Sequence, residues 1–145
     1  MAWPDIELTR GDTLREYLKL FDEYMDPLDL AGCTVWFTVK PGVDNDPHDS
    51  AAYFQHFLEV ADNGTISSAD GFSIGGVDPQ TGQIAKRAAQ GVLTHFVSHQ
   101  DSNQLPIGNL VYDIQVMAAN GEVKTIIQNA SLTVTGDVTR RTVVR

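Results

Sequence analysis

Basic side chains are scarce in this sequence, and they are unevenly placed. Ten Lys and Arg stand against nineteen Asp and Glu, giving a formal net charge of −9. Between Asp22 and Asp78 there are eleven carboxylates and one cation, Lys40. Binding to phosphate needs a basic face, so this balance argues against a nucleic-acid partner. Cysteine is rarer still. Cys33 is alone, which excludes an internal disulfide framework and a Cys-rich metal site. Folding is then expected to be independent of an oxidising compartment. No apolar run approaches the ~20 residues that span a bilayer. The start, Met1-Ala2-Trp3-Pro4-Asp5, lacks the basic opening and apolar core of a secretory signal. The expectation is a soluble chain made in the cytosol, with no membrane partner.

The usual signatures of chemistry are also missing. There is no Gly-x-Ser-x-Gly, no Walker loop and no paired-cysteine motif. Asp44-Asn45-Asp46-Pro47-His48-Asp49 looks like a calcium loop, but Asp49 stands where glycine is needed and Gln55 where the closing glutamate should be. His95 and His99 are four apart, yet Phe96 follows the first instead of glutamate. Residues four apart on a strand lie ~13 Å from each other, too far to share a metal. His48 and His56 have no partner that the sequence reveals. Cys33 beside Trp36 reads as a small core residue, and Arg10-Gly11-Asp12 reads as turn chemistry. No catalytic residue, cofactor site or metal ligand is expected, and no enzymatic activity.

What is present is β-pattern. At 145 residues the chain fits one domain, 1–145, large enough to bury a core without staples. Leu110, Tyr112, Ile114 and Val116 alternate with Asp113 and Gln115. Asn120-Gly121 then predicts a type I′ hairpin turn. Val123–Ile127 and Ser131–Thr135 complete a predicted meander. Upstream, Thr13–Phe21 reads as a strand with Leu14, Leu18 and Leu20 on one side and Glu16 interrupting it, bounded by Gly11 and Asp26-Pro27. A helix is the competitor, because Leu14, Tyr17, Leu18 and Phe21 also sit at helical spacing. Thr34–Lys40 is rich in β-branched and aromatic residues. Tyr53–Val60 places Phe54, His56 and Leu58 together, and Gly91–Ser98 sets Leu93, His95 and Val97 opposite Val92, Thr94 and Phe96. His99–Gln104 reads as a polar crossover. Thr13–Phe21 and Thr34–Lys40 are the expected facing strands for the meander. Seven to eight short strands with regular turn signals and no long helix predict an immunoglobulin-like antiparallel β-sandwich. The turn-rich segment 61–90 is the expected long loop insertion, with short strands plausible around Thr65-Ile66 and Phe72–Ile74 and with Ile84–Gln90 open between a helical turn and a strand.

Four stretches carry a resemblance. They are Thr9–Arg15, Pro27–Lys40, Leu105–Val116 and Leu132–Arg140. Together they resemble the small immunoglobulin-like proteins of bacteriophage tails, similar to the N-terminal domain of baseplate upper proteins. The matched pieces flank a central region, 41–104, that matches poorly. In place of the family's aromatic after Gly-x this chain has Leu110, so the tyrosine-corner hydrogen bond is not expected there. The resemblance implies a non-enzymatic virion structural protein of the tail, baseplate or neck, assembled in the host cytoplasm. Its implied partners are other tail proteins and copies of itself, as a trimer or hexamer. Trp3 and Pro4 at one end, and Arg140, Arg141, Val143, Val144 and Arg145 at the other, lie in the expected extended tails 1–5 and 140–145 and are the predicted contact residues. The alternative is a glycan-binding sandwich for host attachment, in which Trp3, Tyr17, Tyr24, Trp36 and Tyr53 stack on sugars.

Overall fold

The structure is a computed structural model, and it describes residues 5–42 and 52–136. The segment 61–90, expected as a loop insertion with short strands near Ile66 and at Phe72–Ile74, supplies strands at both places and more. Asn63-Gly64 turns the chain tightly, with Gly64 N–H donating to the Ala61 carbonyl at 2.9 Å and Ala61 N–H to the Thr65 carbonyl at 2.8 Å. This folds β5 (Ile66–Asp70) back on β4 (Phe54–Val60). One residue later β6 (Phe72–Ile74) pairs with β9 (Val92–Val97) in a different sheet. Gly71 is thus the corner at which the chain crosses between layers. The remainder of the segment forms a small hairpin, β7 (Gly76–Val77) with β8 (Ile84–Ala85), and a 3₁₀ turn at Ala88–Gln90.

The two layers form an all-β sandwich. The larger sheet has the order β1-β11-β10-β3-β4-β5, with β1 (Ile6–Thr9), β3 (Thr34–Lys40), β10 (Gly108–Met117) and β11 (Val123–Thr135). The smaller has the order β2-β9-β6, with β2 at Leu14–Lys19. The Thr34–Lys40 strand therefore hydrogen-bonds directly to β10 from Val111↔Lys40 to Met117↔Thr34, rather than facing it. Only β2, of the two expected facing strands, lies in the opposite layer. Its partner there is β9, paired from Leu14↔Val97 to Lys19↔Val92.

The meander is simpler than its sequence suggests. Val123–Thr135 is one continuous strand, paired to β10 through register shifts around Ile114. Those irregularities keep Ile127, Leu132 and Val134 all on the buried side. Its far half also pairs in parallel with β1, from Ile6↔Leu132 to Thr9↔Thr135. The connecting turn is not type I′. Gly121 alone takes positive φ, at 89°, while Asn120 does not. Ala118 closes the turn through Gly121 N–H at 2.9 Å and through its own N–H to the Glu122 carbonyl at 2.8 Å. A left-handed glycine in the third loop position is the three-residue hairpin with a glycine bulge.

Alternation gives each strand an inward row. Val35, Phe37 and Val39 come from β3, Leu58 and Val60 from β4, and Leu110, Ile114 and Val116 from β10. Leu18, Phe72, Leu93 and Val97 close over them from the smaller sheet. Cys33 is buried in the same cluster. Beyond β9 the expected crossover is a short helix, α1 (His99–Asn103), whose first turn is capped by the Ser98 hydroxyl accepting from Asp101 N–H at 3.1 Å. Its buried Ser102 accepts from Gly11 N–H at 2.9 Å, pinning the helix to the turn that precedes β2.

Candidate functional site

Three inward positions of the strands are polar, and they meet. Glu16 interrupts the apolar row of β2, His56 lies between Phe54 and Leu58 on β4, and His95 lies between Leu93 and Val97 on β9. The Glu16 carboxylate accepts from His95 Nδ1 at 3.2 Å. His95 Nε2 and His56 Nδ1 are 2.8 Å apart, across the gap between the two sheets. On the far side, His56 Nε2 lies 2.9 Å from Asp101 Oδ2 on α1. The result is a continuous carboxylate–imidazole–imidazole–carboxylate chain through the core. Its two rings are 2% and 0% exposed, while Glu16 and Asp101 reach solvent at its ends.

The surroundings are aromatic. The Phe37 ring lies 3.9 Å, centroid to centroid, from His95, and the Phe72 ring 4.8 Å. Phe54 lies 4.5 Å from His56, and Tyr112 stacks on Phe37 at 5.1 Å. Burial among these rings lowers the His95 pKa below the ordinary histidine value, and the neighbouring Glu16 only partly opposes this. Tyr112 is pushed up to about 12, first by burial and then by the charges of Glu16 and Asp5.

Three links need three protons. Two neutral rings supply two, each N–H aimed at its own carboxylate. The facing nitrogens of His95 and His56 would then be two lone pairs at 2.8 Å, which repel. The chain is satisfied when it takes up one further proton in that central link. His95, kept neutral by burial, then accepts through Nε2. Such a chain is well suited to joining sheets and poorly suited to external chemistry, since all four ring nitrogens are engaged and neither ring reaches solvent.

Gly71 makes room for it. A Cβ at that corner would lie 2.5 Å from His56 Nδ1 and 2.6 Å from Cγ.

A second feature lies at the opposite end of the molecule from the chain's exit beyond β11. Phe21 and Pro27 form an isolated bridge around a tight turn. In that turn the Asp22 carboxylate accepts from Tyr24 and Asp26 N–H at 2.9 and 3.0 Å. The turn holds Met25 at φ 65° and projects Tyr24, 77% exposed, with Met25 beside it. Beneath it runs a groove of about 410 Å³ between the turn and the β10–β11 hairpin.

Of the residues singled out in the sequence, Trp3, Pro4, Asp44–Asp49, Arg140, Arg141, Val143, Val144 and Arg145 lie outside the described residues. His99 is exposed on α1, apart from the buried His95. Burial, with the charge of Asp29 second, raises the Cys33 thiol pKa. The aromatics are dispersed: Trp36 is on the outer side of β3 beside Phe57, Tyr17 is in the other sheet, and Tyr24 is on the groove turn. Among the described residues no group of three or more His, Cys, Asp or Glu is placed to hold a metal ion, and no helix is long and apolar enough to cross a membrane. No protein-family profile and no curated protein sequence matches the chain.

Two outcomes follow for the buried chain. Below about pH 6.5 an unfolded histidine takes up a proton, while His95, its pKa lowered, does not. At this residue the unfolded state then binds more protons, so the His95 contribution to stability falls as pH drops below that value, by at most about 1.4 kcal/mol per pH unit for one proton. Urea unfolding between pH 6.5 and 5 should show this slope, and His95→Gln should reduce it. Gly71→Ala, which combines positive φ with overlap on the His56 ring, should cost about 2–4 kcal/mol. A drop in the urea midpoint at unchanged m would register it.

Proposed function

We propose that this chain is a non-enzymatic structural component of a bacteriophage tail, baseplate or neck, working through protein–protein contacts. The resemblance of Thr9–Arg15, Pro27–Lys40, Leu105–Val116 and Leu132–Arg140 to phage-tail immunoglobulin-like proteins supplies the biological setting. The observation that carries the reading is β5. It ends the larger sheet, and all five of its residues, Ile66–Asp70, are exposed. A strand exposed along its whole length at a sheet edge is a surface on which another chain can add a strand, with main-chain hydrogen bonds supplying affinity. Its side chains, Ile66, Ser67, Ser68, Ala69 and Asp70, include neither the lysine nor the proline with which edges are commonly blunted. The engaged, buried imidazoles favour the same conclusion, because they make a stiff sandwich rather than a reactive cleft.

Mass spectrometry of purified particles from the phage that encodes the chain tests this. The expected result is the protein at a fixed stoichiometry, a multiple of three or six copies. Its absence from particles would overturn the proposal.

A further inference from the structure

The groove beside the Phe21–Pro27 turn has a definite chemistry. Its floor is apolar, from Leu28, Val116 and Ile126. Its rim carries three carboxylates, Asp22, Glu23 and Glu122, against one cation, Lys124. Asp26 and Asp29 lie in the same acidic stretch, which holds no basic residue from Asp22 to Asp29. The exposed rings of Phe21 and Tyr24 wall one side. A ligand that fits is short and extended, with apolar side chains flanked by cations.

This sequence contains such a segment. Arg140-Arg141-Thr142-Val143-Val144-Arg145 holds three of the ten Lys and Arg, with two adjacent valines. A chain cannot place its own valines in its own groove. Groove residue Ile126 lies near the start of β11 and Gly136 just past its end, ten residues on, a separation of about 30 Å at strand rise. Val143 and Val144 are seven and eight residues beyond Gly136 and reach at most about 25–29 Å when fully extended. The strand also points away from the groove, so the segment would first have to reverse direction.

We propose that the acidic groove of one copy receives residues 140–145 of a second copy, with Val143 and Val144 against the floor and the arginines on the carboxylate rim. Groove and exit lie at opposite ends of the β10–β11 hairpin, so the contact is head-to-tail. A head-to-tail contact closes into a ring or propagates as a filament. This rests on the assembly reading above and supplies it with a specific interface. The two fail separately. A chain found in particles but unable to self-associate leaves the virion reading standing and ends this one, while rings absent from particles do the reverse.

Analytical ultracentrifugation of the full chain, with two full-length variants, decides it. The groove variant is Glu23→Lys/Glu122→Lys. In the tail variant, Arg140→Ser, Arg141→Ser, Val143→Ser, Val144→Ser and Arg145→Ser are combined. The unaltered chain should self-associate, more weakly at high salt. Each variant alone should associate at least about tenfold more weakly. An equimolar mixture should give a one-to-one dimer and nothing larger, because one intact groove meets one intact tail and both other ends are blocked. That dimer also reports that the tail variant, which supplies the groove, is folded, and far-UV circular dichroism checks the groove variant. A monomeric unaltered chain, variants that associate undiminished, or a mixture that stays monomeric would each overturn the proposal.

Discussion

The 2.8 Å contact between His95 Nε2 and His56 Nδ1 is a polar bond across the middle of the sandwich, and the surrounding structure is arranged to permit it. Two imidazoles buried to 0% and 2% exposure are costly unless every nitrogen is engaged. Engagement in turn fixes four elements at once: β2 through Glu16, β9 through His95, β4 through His56, and α1 through Asp101. A purely apolar interface between sheets tolerates sliding better than a chain of directed hydrogen bonds. This one specifies register as well as proximity, at the cost of depending on all its members. Losing one ring would leave a buried partner unsatisfied, which costs more than the net worth of the bond itself.

The same constraint explains the corner at Gly71 and the cap on α1. The chain must pass from β5 to β6 directly over the His56 ring, where no side chain fits. Asp101 must approach His56 from outside the sheets, and the Ser98 cap and the Ser102–Gly11 bond hold its helix in place. With the interior committed in this way, the described features most open to other molecules are peripheral. They include the exposed edge β5 and the acidic groove under the Phe21–Pro27 turn. Both suit contacts between proteins, and the groove is matched in charge and character by residues 140–145.

Much of this was legible in the sequence. Alternation located β4, β9 and β10, β-branched content located β3, and bounding turns favoured β2 as a strand. The same alternation grouped His56 with Phe54 and Leu58, and His95 with Leu93 and Val97, and glycine and proline marked most turns. The chain of four was visible only as three separate anomalies, Glu16, His56 and His95, each a polar residue in an apolar row. Each needed a buried partner, but pairing across sheets depends on layer assignment, which a single sequence does not encode. The same ambiguity made β3 look like a facing strand when it is β10's neighbour. Within segment 61–90 the turns are dense and the strands short, so β6 was legible at Phe72–Ile74 but β5 only at its start, near Ile66. The rest of β5, exposed on every residue, has no alternation to detect. The groove joins residues in the twenties to the β10–β11 hairpin and has no local signature.

The central claim is that a proton-bearing link joins the two sheets through His56 and His95. Nitrogen NMR of the histidine-labelled protein tests it most directly, through the scalar coupling between the two facing ring nitrogens across their hydrogen bond. The account predicts a measurable coupling at neutral pH, with His95 remaining neutral below pH 6.5, in keeping with its lowered pKa. No coupling, together with a His95 ring that titrates like an exposed histidine, would contradict it.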